Sequence, residues 1–140
     1  MTIPFYIVDV FTKKKYAGNQ LAVFLNATDL TSDQMQEIAS EINFAESTFV
    51  TGITADNNKA TIRIFTPAHE MQFAGHPIIG TSWVLMNKVF KHQPKGIKIN
   101  VPIGEIPVSQ SQDLVWLKAA QPDFLDVFMK DDFASFSNLS

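Results

Sequence analysis

Gly75-His76-Pro77-Ile78-Ile79-Gly80-Thr81-Ser82-Trp83-Val84-Leu85-Met86 reads as a helix with no polar side. Pro77 falls in its first turn, where the missing N–H costs nothing, and the run that follows is apolar nearly all the way round. A helix of that kind has to be covered from every direction. Its neighbours are strands. Ile3-Pro4-Phe5-Tyr6-Ile7-Val8-Asp9-Val10-Phe11 is rich in β-branched and aromatic residues, with Pro4 near the start, and Leu21-Ala22-Val23-Phe24-Leu25 is a short apolar run that can pair with it as a hairpin. Ser47-Thr48-Phe49-Val50-Thr51 and Ala60-Thr61-Ile62-Arg63-Ile64-Phe65 flank a polar turn and predict an antiparallel pair. Further strands are expected over 97–101, 105–109 and 114–118, punctuated by Gly96, Pro102, Gly104 and Pro107. Between the second and third strands, Met35, Ile38, Ala39 and Ile42 fall at helical spacing behind several N-cap candidates, which predicts a helix over 32–43.

About seven strands and two helices result. No two-layer packing covers every face of the 75–86 helix, so the expected fold is α+β: a strongly curved, mostly antiparallel, barrel-like sheet wrapped around one buried central helix, with a second, peripheral helix. The chain of 140 residues, 46% hydrophobic and with 12 Phe, has length for one such core. That composition excludes intrinsic disorder.

Composition also narrows the function. Eleven Lys plus Arg against 14 Asp plus Glu leave a net charge of −3, and Arg63 is the single arginine, so nucleic acid is not an expected partner. There is no cysteine, hence no disulfide, no thiolate nucleophile and no Cys-type zinc site. The three histidines, 69, 76 and 92, match no metal spacing, and His69 beside Glu70 brings no second ligand; neither a metal nor a cofactor is expected. No apolar run approaches the ~20 residues of a membrane helix, and 1–11 lacks the pattern of a secretory signal, so no membrane partner and a cytoplasmic location are expected. Lys13-Lys14-Lys15 reads as a solvated loop.

Two places carry candidate chemistry. His76, between Gly75 and Pro77 at the start of the apolar helix, stands where backbone N–H groups and the positive end of the dipole favour an anion, and Gly75 permits close approach. The same residues also serve as plain helix punctuation with His76 as a cap. Glu46 opens a strand among Phe44, Ala45 and Phe49; it is either a surface carboxylate or a partly desolvated acid/base able to exchange protons with a carbon acid. Ser47 and Thr48 beside it either hydrogen-bond a ligand or satisfy local backbone. Gly18-Asn19 is either a ligand-contacting turn or an ordinary one.

Several stretches together resemble the phenazine-biosynthesis PhzF-like family, relatives of the diaminopimelate epimerase fold. They are Ile7-Val8-Asp9-Val10-Phe11-Thr12, Gly18-Asn19-Gln20-Leu21-Ala22-Val23, Met35-Gln36-Glu37-Ile38-Ala39-Ser40-Glu41, Asn43-Phe44-Ala45-Glu46-Ser47-Thr48-Phe49-Val50, Arg63-Ile64-Phe65-Thr66-Pro67 and Phe73-Ala74-Gly75-His76-Pro77. Gln20 stands where the family usually has proline, and Met71-Gln72 where Leu-Pro is frequent. The resemblance implies two similar lobes with a cleft between them, of which this chain has length for one: an N-terminal lobe over 1–122, followed by 123–140 as the opening of an incomplete second lobe or a fraying tail. It implies a cofactor-independent isomerase or epimerase that moves a proton on a small carboxylate substrate, with Glu46 as catalytic acid/base and Gly75 and His76 lining the substrate site; Asn19, Ser47 and Pro77 are expected to join them as substrate contacts. The alternative is a catalytically incomplete half-domain that forms a homodimer or pairs with a second lobe.

Overall fold

A computed structural model describes residues 2–10, 18–112 and 114–118. The lysine run at 13–15 and everything beyond 118, including the resemblance to a lobe junction at 121–124 and the predicted tail, lie outside the described residues.

The chain builds one curled mixed sheet. β1 (Phe5–Val10) and β2 (Asn19–Phe24) form the expected hairpin, Phe5 opposite Phe24 and Val10 opposite Asn19. α1 (Ser32–Ile42) then carries the chain across the sheet so that β3 (Glu46–Thr54) runs parallel to β2, Leu21 opposite Glu46. A capping box starts α1: Gln34 N–H donates to Thr31 Oγ1 at 3.1 Å and Thr31 N–H to Gln34 Oε1 at 2.9 Å. Asn43, left-handed at φ 60°, ends it and turns the chain into β3.

β4 (Lys59–Phe65) returns antiparallel to β3, and the two-residue β5 (Glu70–Met71) pairs with its end. After α2 (Gly75–Val84) and a π-helical turn over Leu85–Val89, β6 (Gly96–Val101) lies parallel to β4; β7 (Gly104–Ser111) and β8 (Leu114–Leu117) complete the order β1-β2-β3-β4-β6-β7-β8 by antiparallel pairing. The fold is α+β with a half-barrel sheet, as the helix pattern predicts; the two parallel pairings are an addition to that reading.

Alternation sorts the side chains into two cores. Leu21, Val23, Val50, Ile62, Ile64, Ile97, Ile99, Ile106 and Val108 face inward onto α2, whereas Ala22, Phe24, Phe49 and Phe65 face outward onto Met35 and Ala39 of α1. Phe24 stacks on Phe49 at 4.9 Å between ring centroids, and Phe49 meets Phe65 edge-on at 5.5 Å. Such pairs add about 0.5–1.5 kcal/mol beyond area burial. The sheet wraps α2 from β1 round to β8. Contact is closest at Gly80, where a Cβ would lie 2.6 Å from Leu21 Cδ2 and 2.8 Å from Val10 Cγ2. One stripe of the helix, Ile79 and Trp83, faces the seam between the free edges of β1 and β8, and Trp83 is 37% exposed. No helix among the described residues is long and apolar enough to cross a membrane.

Candidate active site

Glu46 is the first residue of β3. Strand alternation puts it on the face of Thr48 and Val50, which is the inner face, and its start of strand lies at the end of the half-barrel where α2 begins. His76 is the second residue of α2, and its Nδ1 lies 2.9 Å from Glu46 Oε2 across 30 residues of sequence. The two side chains are 10% and 20% exposed. A carboxylate and an imidazole are thus held in one hydrogen bond, largely out of water.

The N-cap of α2 is Ala74, which has no side chain able to bond the first-turn amides, and Pro77 supplies no amide of its own. His76 therefore does not cap the helix. The positive end of the dipole is left for an anion. A Cβ built on Gly75 would meet nothing within 4 Å, so no neighbouring protein group demands glycine there. The position leaves room above the tip.

Asn19 opens β2 beside this end of the sheet, on the face of Leu21 and Glu46. It joins Gly18, Gln20, Asn43, Phe44 and Ala45 in lining an open groove of about 510 Å³. Ser47 is not brought to the tip. One residue beyond Glu46, it faces the opposite side of the sheet with Phe49, and its buried hydroxyl has no protein partner. Thr48, on the inner face, is also buried with its Oγ1 unpartnered, so neither hydroxyl satisfies local backbone.

The other histidines serve elsewhere: His69 Nδ1 lies 3.3 Å from Thr66 Oγ1, and His92 Nε2 2.6 Å from Asn58 Oδ1. No group of three metal-ligating side chains occurs among the described residues. A clip that the sequence reading missed sits on the outer face. Arg63 Nε and Nη2 donate to the two carboxylate oxygens of Glu70, each at 2.7 Å, and Nη2 also donates to Ser32 Oγ at 2.9 Å, tying β4, β5 and α1 together. Its only sequence signal is an arginine on the outward register of a strand, alternating with Ile62 and Ile64.

Comparison with known proteins places these features in context. The phenazine biosynthesis-like protein family matches residues 8–130. A relative from Pseudomonas fluorescens, a trans-2,3-dihydro-3-hydroxyanthranilate isomerase, is 48% identical over 81 residues, covering 58% of this chain and 29% of the relative. The crystal structure of a phenazine biosynthesis protein of the PhzF family from Enterococcus faecalis superimposes with a TM-score of 0.75 at 26% identity, covering 90% of this chain and 50% of that one. A Bacillus anthracis protein of the PhzF family gives 0.69 at 28% identity, with 81% and 38% covered. The chain thus spans about half or less of the length of these proteins.

Proposed function

Since this chain belongs to the phenazine biosynthesis-like protein family, we propose that it is the N-terminal lobe of a cofactor-independent isomerase or epimerase acting on a small carboxylate with an acidic C–H bond. The hydrogen bond between Glu46 and His76 at the uncapped tip of α2 carries the proposal. The isomerase name of the Pseudomonas fluorescens relative supports the reaction class.

Glu46 takes the proton from carbon as a carboxylate, and the electron pair left behind spreads into the adjoining unsaturated or carboxylate group of the substrate. The resulting carboxylic acid returns the proton at another carbon or another face, so nothing is consumed. The α2 tip holds the substrate carboxylate through backbone N–H donors, and His76 steadies the Glu46 carboxyl and the negative charge that develops. Asn19, at the rim of the groove, contacts the far side of the ligand.

A second reading is favoured by the distribution of exposed apolar residues. Phe5 and Ile7 on β1, Trp83 on α2, and Leu114 and Trp116 on β8 all lie on the free edges or on the stripe between them. A surface of that kind pairs with a second copy or with a second lobe, and the lobe then works only as half of a two-sided cleft. Solution mass together with proton–deuteron exchange into candidate carboxylates separates the two readings. Exchange that rises with dimer population supports a shared catalytic cleft. No exchange at any chain concentration leaves the interaction module and sinks the enzyme.

A further inference from the structure

A further imidazole, His69, stands on the face and at the end of the sheet where Glu46 meets His76. Ser47 of β3 is opposite Phe65 of β4, and Phe65 is opposite Glu70 of β5. One residue further toward that end, the same registers set Glu46 opposite Thr66 and Thr66 opposite His69. The second of these pairings is carried by a bond from Thr66 N–H to the His69 carbonyl oxygen at 2.8 Å. Alternation then fixes the face. Arg63, Phe65 and Glu70 lie on the outer side with α1, whereas Ile64 and Met71 belong to the inner core, so Thr66 and His69 face inward as Glu46 does. Neighbouring strands lie about 4.8 Å apart, so the backbones of Glu46 and His69 stand about 10 Å apart with Thr66 between them.

Thr66 also decides how the His69 ring presents itself. Its hydroxyl accepts from Ala68 N–H at 3.1 Å and from His69 N–H at 3.0 Å, which fills both lone pairs. What remains is the hydroxyl hydrogen, with the His69 carbonyl oxygen at 3.1 Å and His69 Nδ1 at 3.3 Å as its acceptors. Nδ1 therefore meets a donor, and the ring hydrogen of neutral His69 sits on Nε2. The residue is exposed, and no hydrogen bond within the described residues engages that Nε2.

Glu46 is thus bracketed along the sheet. His76 bonds it from α2, Asn19 lies on the β2 side, and His69 offers an N–H from the β5 side, two strands away. The threonine between them has its hydroxyl engaged in its own turn and competes with neither. We propose that His69 is a substrate-binding residue of this site: with the substrate carboxylate on the α2 tip, His69 Nε2–H donates to an oxygen substituent, hydroxyl or carbonyl, on another carbon of the same molecule. The inference rests on the reading of Glu46 and the α2 tip as a centre for small carboxylates, and it adds that the substrate carries a second oxygen function on its β5 side. His69 moves no proton in this scheme. It selects among carboxylates.

The test reads the imidazole rings of the full chain by 15N NMR, with benzoate and 3-hydroxybenzoate as probes. The three rings are assigned through His69→Gln, His76→Gln and His92→Gln, and His92, bonded to Asn58 at the start of β4, is the reference. 3-Hydroxybenzoate should move the His76 and His69 signals along one saturation curve and leave His92 in place, whereas benzoate should move His76 alone. It should also bind about three- to tenfold more tightly than benzoate, the range expected of one hydrogen bond. That preference should vanish in His69→Leu and return in His69→Gln, whose amide keeps a donor at similar reach, with the unliganded His76 signal at its wild-type position in both. A His69 signal unmoved at saturation, a preference that survives His69→Leu, or no binding of either probe overturns the proposal. Glu46 still stands as the base after such a result if Glu46→Gln suppresses isotope exchange. Conversely, undiminished exchange in Glu46→Gln with the His69 shift intact removes the base and keeps the binding residue.

Discussion

The tip and the shank of α2 are built to opposite requirements. At the tip, Ala74 leaves the amides uncapped, a Cβ on Gly75 would meet nothing within 4 Å, and His76 Nδ1 is hydrogen-bonded to Glu46 Oε2. One turn later, Gly80 is wedged between Leu21 and Val10 so closely that no side chain fits. The charged pairs differ too: Arg63 meets both carboxylate oxygens of Glu70 in a two-pronged bridge, whereas His76 meets Glu46 through one nitrogen and one oxygen. One helix is therefore tightly packed in its middle and loosely covered at its end.

The largest expected effect separates these two roles directly. Glu46→Gln should lower proton–deuteron exchange into substrate by about 10²–10⁴ while leaving the thermal transition close to wild type, since the substitution preserves shape at a half-buried site. Glu70→Gln, its counterpart in the body, should do the reverse. Undiminished exchange in Glu46→Gln would erase the distinction.

The two glycines give the next contrast. Gly80→Ala forces Leu21 and Val10 out of their rotamers, and overpacking of this sort costs about 1–3 kcal/mol. Gly75→Ala enters open space and should be neutral in stability or gain up to ~1 kcal/mol from helix propensity, while its methyl group crowds the approach to the amides and lowers exchange. Urea melts of both variants decide the point: equal losses at the two positions would mean the tip is as packed as the shank.

This division was partly legible before any coordinates. The helix without a polar side announces a wrapped sheet, because its burial is a property of its own twelve residues, 75–86. Glu46 as the first residue of a strand is legible for the same local reason. Alternation, had it been carried through, also separates Glu46 from Ser47, since neighbours on a strand face opposite ways. What stays hidden is everything that depends on closure in space. The parallel pairings of β2 with β3 and of β4 with β6 leave no mark on local periodicity, nor does the seam that exposes Trp83. The contact from Glu46 to His76 spans 30 residues and no local spacing predicts it; the family resemblance implies only that both belong to one site.

A smaller effect sharpens the contrast on the outer face. Arg63→Met removes both prongs of the bridge and the bond to Ser32, leaving Glu70 about a third exposed and able to regain water. Pairs with this exposure are worth about 0–1 kcal/mol, so the loss in urea should fall at the upper end of that range because the geometry is bidentate and joins three elements. Exchange at the tip should not change. A loss of exchange equal to that of Glu46→Gln would show that the clip on the outer face sets the position of the acid on the inner one.

The smallest effect lies farthest from the tip. Glu105 on β7 accepts from Lys59 at 3.1 Å and lies 3.6 Å from Lys98, and its carboxyl is held below the ordinary carboxylate range, chiefly by the hydrogen bond from Lys59. A carboxyl whose proton affinity is lower in the folded chain contributes stability above its unfolded value, and that contribution disappears as pH falls through the folded one. Glu105→Gln should therefore leave stability at pH 2 unchanged and lower it slightly at pH 7, flattening the acid limb of the Tm-against-pH curve. Solvent and salt screen a group this exposed, so the difference should shrink further in 1 M NaCl. The Glu46 and Glu105 carboxyls thus differ in their partners: lysines beside Glu105 hold it ionised for stability, while Glu46 meets the single imidazole of His76. A Glu105→Gln variant that lost exchange while keeping its fold would place the two in one electrostatic network and end the separation of tip from body.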